Sequence, residues 1–396
     1  MKIGIGVHGR FDAFELAKAL LTLGHDVHLF TNYPPFVVKR FGLPPKIVST
    51  HYWHGLVFKL AQKFGNFGHL AWLNRYLSEN FEHWLARRLA REQWDITYTW
   101  SGISERYFRN PRTAKARLMA RGSSHIISQK RLLEEEETRC GIPLEKPFAH
   151  TVAKELAEYD LADRIIVLSS FCINSFLDNG FDPMRLGLMV PGTPSENFRL
   201  DEMELAAKIR TLTDGFPLNI LTVGTFSFRK GMFDYAKIVN ELAGKEIRFR
   251  FVGSVAGECF SLREQLTSKV EFVPRVAQSE LKEHYRWGHL FLFPTIEDGF
   301  GIVLSQALAG CLPLITTHHS GGIDIVVEGK NGWIYPIRSP DLMIAKIKHI
   351  QKDRSCLIRM MEEMHENGVS RTWKDSALDF LAIASTVQTF SCGNVK

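Results

Sequence analysis

The sequence predicts an α/β protein of two Rossmann-like domains, each a doubly wound, mostly parallel sheet. Three observations predict it. Short apolar runs of strand length alternate with segments whose apolar residues recur at helical spacing. The alternation breaks around residues 192–216 and then starts again. The chain has 396 residues, enough for two domains of ordinary size, and 45% of them are apolar, enough to bury a substantial core.

In the first half, Lys2–Val7 forms a short buried strand. Residues 11–23 then carry Phe14, Ala17, Leu20 and Leu21 on one helical face, and Gly24 suits the end of that helix. With a strand at 27–30 this makes a β-α-β opening, its first turn Val7-His8-Gly9-Arg10-Phe11. Residues 51–91 predict a long helical region in which aromatic and basic residues interleave. Such a region is either a core-facing helix pair or a segment that lies on a membrane. Further strands are expected at 96–99, 117–120 and 164–168, the last preceded by an acidic helix at 154–161. Pro191, Gly192 and Pro194 punctuate the chain where the two halves join.

The second half shows the alternation more sharply. Strands are expected at 218–223, 248–252, 270–273, 290–293 and 314–316, with helices at 232–242, 279–287 and 301–309. The domain division that follows is 1–192, then 193–372, with a closing segment at 373–396. Ligands of such sheets bind beyond the carboxyl ends of the strands, where most of the distinctive stretches fall.

Composition narrows the class. The six cysteines stand at 140, 172, 259, 311, 356 and 392, with no close pair at metal-ligand spacing. A reducing cytoplasm is the simpler setting, and no zinc site is expected. The N-terminal apolar run is too short for a signal peptide, and no stretch approaches the ~18 apolar residues of a membrane span. Net charge is +6, but residues 36–131 hold 17 Lys/Arg against 5 Asp/Glu. That asymmetry points to an anionic partner, such as a phosphorylated acceptor, a lipid surface or nucleic acid, or else to a solvated basic face.

Four stretches carry candidate chemistry. Gly224–Gly231, GTFSFRKG, sets Arg229 and Lys230 just before a helix. Two cations at a helix N-terminus oppose the helix dipole unless an anion is bound, so this is a candidate diphosphate site. In PTIEDGFG, Glu297 and Asp298 precede Gly299, Phe300 and Gly301 and open a helix that carries Gln306 two turns on. Glycines let backbone approach a ligand, and carboxylates accept from sugar hydroxyls. In RGSSHI, His125 stands at a strand-to-helix junction, where it could orient or deprotonate a hydroxyl. In the first turn, Gly9 permits a tight bend and Arg10 could reach an anion. This turn lacks the GxGxxG fingerprint, which argues against a nicotinamide cofactor.

Taken together, VGTFSFRKG, PTIEDGFGIVLSQALAGCLP and GGIDIVVEGKNGWIYP resemble the retaining glycosyltransferases of family 4, which have the GT-B fold. RGSSHI, DRIIVLSSF and VPGTPSENF extend the resemblance more weakly. It implies two domains facing across a cleft, the first holding the acceptor and the second a nucleotide-sugar donor, with the last helix crossing back to the first domain. It implies transfer of a hexose from a UDP- or GDP-linked donor to a hydroxyl acceptor, lipid-linked or anionic among the options, as in cell-surface polysaccharide biosynthesis. Nucleic acid is then not expected as a partner, and the basic first half makes an anionic inner-membrane surface one candidate. Lys230 matches the family's diphosphate-binding lysine. Thr225 stands where an arginine is usual, and Arg229 would supply that charge. Asp298 and Gln306 match the family's paired glutamates, which contact the donor sugar and the ribose. Gly299, Phe300 and Gly301 match backbone that approaches the donor, and His125 matches the active-site histidine. With cations meeting the leaving diphosphate and no Asp-x-Asp pair, neither metal nor cofactor is expected. The alternatives are a sugar-nucleotide hydrolase or epimerase and a catalytically silent membrane- or partner-binding module.

Overall fold

The computed structural model describes residues 1–63, 71–193, 195–368 and 371–393. Seven strands form the first sheet: β1 Lys2–Val7, β2 Asp26–Thr31, β3 Val48–Thr50, β4 Trp94–Trp100, β5 Ala114–Arg121, β6 Arg164–Val167 and β7 Leu186–Leu188. Six form the second: β8 Leu218–Phe226, β9 Ile247–Val255, β10 Val270–Val273, β11 Leu290–Phe293, β12 Leu314–Thr317 and β13 Gly332–Tyr335. Their spatial orders are β3-β2-β1-β4-β5-β6-β7 and β10-β9-β8-β11-β12-β13, with every pairing parallel.

The apolar runs become strands because helices cover both faces of each sheet. β6, β11 and β12 are buried at every position, as strands of a parallel sheet covered on both sides must be. Each sheet has its own core. Ile5, Leu29, Ile96 and Ile165 lie in the first, and Ile220, Phe249, Phe291 and Leu314 in the second.

Two expectations change. The expected strand at 218–223 runs on to Phe226, because Gly224 and Thr225 keep their pairing with Gly253 and Ser254 of β9. The polar turn is therefore shorter, a single helical turn Phe228–Lys230 that closes at Gly231. The long aromatic region comprises the helices Tyr52–Lys63 and Ala71–Leu89, and residues 64–70 lie outside the described residues.

The last helix, Trp373–Gly393, returns to the first sheet and packs on the helix Ala13–Thr22 and on β5. Phe380 anchors it, fully buried with its ring 5.1 Å from that of Tyr98. The Ser376 hydroxyl donates to the Val190 carbonyl (2.8 Å), fastening the helix beside the connection between the sheets. Phe380→Ala should lower unfolding stability by about 3–5 kcal/mol, measured by urea titration, because it leaves a cavity where this helix meets the sheet.

Candidate functional site

Both sheets turn their carboxyl ends toward one cleft of about 1100 Å³. β8 leads into the Phe228–Lys230 turn, and β11 leads through Pro294 into the acidic loop and the helix Ile302–Ala309. The two loops pair charge for charge. Arg229 Nε donates to Glu297 Oε2 (2.7 Å), and Lys230 Nζ donates to Asp298 Oδ2 (2.5 Å).

Glu297 is the most constrained of these groups. It is fully buried, yet it holds its charge. Burial pulls its pKa up. The Arg229 guanidinium and the Ser124 N–H and hydroxyl, each 2.9 Å from Oε1, outweigh burial and bring the pKa down to about 2. Gln129 Nε2 adds a hydrogen bond to Oε2 at 3.3 Å. Ser124 and Gln129 belong to the first domain, so this carboxylate joins the two domains. The expectation that Glu297 faces a donor sugar is corrected: its oxygens are spent on this junction, and it does not line the cleft.

Gly299 is corrected in the same way. A Cβ there would meet the Gly122 carbonyl oxygen at 2.0 Å, so the missing side chain serves the contact between domains. Gly301, at φ +79°, caps the helix Ile302–Ala309 and does line the cleft, as do Asp298, Phe300 and Gln306. The first N–H groups of that helix have no partner within it and open on the same space.

Gln306 lines the cleft, and its amide oxygen accepts from the Tyr285 hydroxyl (2.9 Å). One lone pair of that oxygen is thus taken, and the amide keeps its N–H donors and one acceptor site without the charge of the glutamate it aligns with. Thr225 lines the cleft beside Ser254, 3.3 Å away, and supplies no charge. Lys230 and Arg229 meet the cleft wall through Asp298 and Ser123, the latter by Arg229 Nη2 at 3.1 Å.

His125 does not reach the cleft. Its ring is buried beside Tyr159 and Phe176, and Nδ1 accepts the Ile127 N–H at 3.3 Å, capping the helix Ile126–Cys140. Burial, with nearby Arg121, lowers its pKa to about 4. The active-site expectation for His125 is replaced by a structural one. Gly9, at φ +133°, sets the first turn, and its neighbours His8 and Arg10 line the cleft. Arg10 is paired with Glu15 through Nη2 and lies over Phe41 (4.1 Å), and its Nε is buried without a hydrogen-bond partner.

Sequence reasoning missed three lining groups. Arg121 ends β5 buried between Glu155 (3.1 Å) and Gln129 (2.8 Å). His8 has a buried Nδ1 without a hydrogen-bond partner, and burial lowers its pKa to about 4. Phe11 is the third. It holds the left-handed φ of +41° with its ring stacked 6.1 Å from Trp100, an arrangement only the tertiary contact sustains. The His8-Gly9-Arg10 turn was the one available signal for this end of the cleft.

A second cavity of about 620 Å³ opens in the first domain and shares His8, Ser101 and Glu155 with the cleft. The Glu82–Lys154 pair (2.6 Å) lies on its wall, and the helices Tyr52–Lys63 and Ala71–Leu89, the second of which carries Glu82, line it.

Replacing Glu297 with Gln should cost about 3–5 kcal/mol at neutral pH, since Arg229 is left in the junction without its counter-charge. The folded-state pKa is depressed, so the stabilisation is complete above the ordinary value of 4.5 and lost as pH falls through about 2. The gap between wild type and Glu297→Gln in urea midpoint should accordingly close over that acidic window.

Residues 208–371 match the family model described as glycosyl transferases group 1. The capsular polysaccharide biosynthesis glycosyltransferase CapM of Staphylococcus aureus is 29% identical over 187 residues, 46% of this chain and 47% of CapM. The chain thus spans about half the length of the curated relatives it matches first. Sucrose-phosphate synthase of Thermosynechococcus elongatus superposes with a TM-score of 0.73 at 16% identity, covering 99% of this chain and 100% of that one. HepE of Anabaena, solved in complex with UDP-glucose, superposes with a TM-score of 0.64 at 13% identity, covering 99% and 100%. These structures share the two-sheet GT-B arrangement found here. The second domain of this chain, with its paired cations and its acidic helix-opening loop, is the part that matches the group 1 glycosyl transferases.

Proposed function

We propose that this protein transfers a sugar from a nucleoside diphosphate to a hydroxyl acceptor, with retention at the anomeric carbon and without a divalent metal. One observation carries the reading: Asp298 lines the cleft, paired at 2.5 Å with Lys230, beside the open N-terminus of the helix Ile302–Ala309. A lysine and unpaired helix N–H groups receive a diphosphate, and an adjoining carboxylate receives sugar hydroxyls.

The donor lies along the second domain in this proposal. Val252, Val276 and Leu281 are among the apolar residues that line the cleft and offer a surface for the base. The diphosphate meets Lys230, with Arg229 behind it, and the sugar reaches Asp298. The UDP-glucose complex of HepE supports a uridine nucleotide as the first donor to test. A guanosine nucleotide is the second.

The acceptor hydroxyl enters from the cavity behind His8. Its oxygen forms the new bond to the anomeric carbon as the bond from that carbon to the phosphate oxygen breaks. The electron pair leaves with the diphosphate, and the acceptor proton passes to the departing phosphate oxygen. Attack on the face that the leaving group vacates retains configuration without a carboxylate nucleophile. Fixed cations stabilise the leaving charge best because they need no reorganisation when it develops. His8, kept neutral by burial, stands where the cavity meets the cleft and can accept a hydrogen bond from the acceptor hydroxyl.

UDP at 100 times its dissociation constant should add about 2.7 kcal/mol of stability, read as a thermal shift. Lys230→Ala should lower kcat/KM for a UDP-sugar by about 10²-fold or more while circular dichroism shows an unchanged fold. No shift with any uridine or guanosine nucleotide would turn the reading toward a silent binding module. EDTA should leave the rate unchanged, and lost activity that Mg²⁺ or Mn²⁺ restores would overturn metal independence.

A further inference from the structure

The strongest feature outside the cleft is the outer face of the first helix pair. On the helix Tyr52–Lys63, Trp53, Leu56, Val57 and Leu60 are exposed at the i, i+3, i+4, i+7 spacing of one face, with Trp53 71% exposed. On the neighbouring helix Ala71–Leu89, Trp72 and Tyr76 are 67% and 60% exposed. A helix normally turns such a stripe inward. Here the opposite face is already used, since His54 is buried and hydrogen-bonded to the Leu77 carbonyl (3.1 Å). Large apolar side chains gathered on a surface mark a contact with something else.

Charge identifies what it contacts. Between Asp26 and Glu79 the chain has no acidic residue and carries six Lys/Arg. Lys39, Arg40, Lys46, Lys59 and Arg75 are exposed. A two-fold contact between copies of this chain would set that basic surface against itself, at a cost in repulsion. An anionic bilayer meets both features at once. Its headgroups attract the basic residues, and its interface is where Trp and Tyr settle. Among the described residues no helix is long and apolar enough to cross a membrane, so the contact is with one face of it.

We propose that the face formed by Trp53, Leu56, Val57, Leu60, Trp72 and Tyr76 rests in the headgroup region of an anionic lipid bilayer, with Lys59 on its phosphates. The inner sides of the same two helices line the second cavity, so a docked protein would hold that cavity close to the lipid surface. The inference stands on the surface alone and does not depend on the transfer reaction.

The test is co-sedimentation of the full chain with vesicles of phosphatidylcholine, alone and mixed with phosphatidylglycerol. The protein should sediment with the mixed vesicles, and added salt should release it. Trp53→Ser/Leu56→Ser/Leu60→Ser should lower the partition coefficient about tenfold or more, because the inserted apolar area is gone. Lys39→Glu/Lys59→Glu should weaken binding to the mixed vesicles and leave any residual binding to phosphatidylcholine unchanged. Circular dichroism melting confirms that each variant is folded, independently of nucleotide binding. Failure to bind the mixed vesicles, or undiminished binding by the folded triple variant, overturns the proposal. So does a dimer that sedimentation velocity detects in the wild type and not in the triple variant, which would give this face to a second copy.

Discussion

The site depends on one buried carboxylate. Glu297 sits in the junction between two sheets, where an unpaired charge would not be tolerated. It remains ionised because Arg229 reaches it from its own domain while Ser124 and Gln129 reach it from the other. Arg121 extends the chain of contacts through Gln129. Taking any member out of such a network leaves the others buried without partners, so the arrangement is all or none. The loops that face the cleft inherit their positions from it.

Other contacts reinforce the junction. Ser170 donates to Asp324 through its N–H (2.9 Å) and its hydroxyl, and Arg338 reaches Glu135 and Glu136 at 2.8 and 3.0 Å. Arg139 meets Asp234 at 2.8 Å. Glu135 and Glu136 of the helix Ile126–Cys140 are thus part of the contact between domains. The closing helix ties the chain's end to the first sheet, so both domains are held on each side of the cleft by residues distant in sequence.

Much of the site was legible locally. Arg229, Lys230, Asp298 and Gly301 stand in short stretches whose chemistry follows from neighbours a few residues away: cations ahead of a helix, a carboxylate on a loop, a glycine at a cap. His125 shows the limit. A histidine among small polar residues at a strand end satisfies the same local pattern whether it faces a ligand or caps a helix. Only the positions of Tyr159 and Phe176, 34 and 51 residues further along the chain, decide between them. Glu297 and Asp298 are adjacent, yet one is sealed into the junction and the other opens on the cleft.

The sequence by itself determined the two parallel α/β sheets, the break between them and the loops where ligands would bind. Those features follow from hydrophobic periodicity, glycine placement and helix-end chemistry, all of which act over a few residues. Only the tertiary structure decided which charges are spent on each other, that Gln306 is held by the Tyr285 hydroxyl, and that His8 and Arg121 belong to the cleft. It also decided which side of the aromatic helices is left outward. These outcomes depend on what packs against each side chain across the domain boundary, and burial and pairing of that kind leave no periodic trace in the chain.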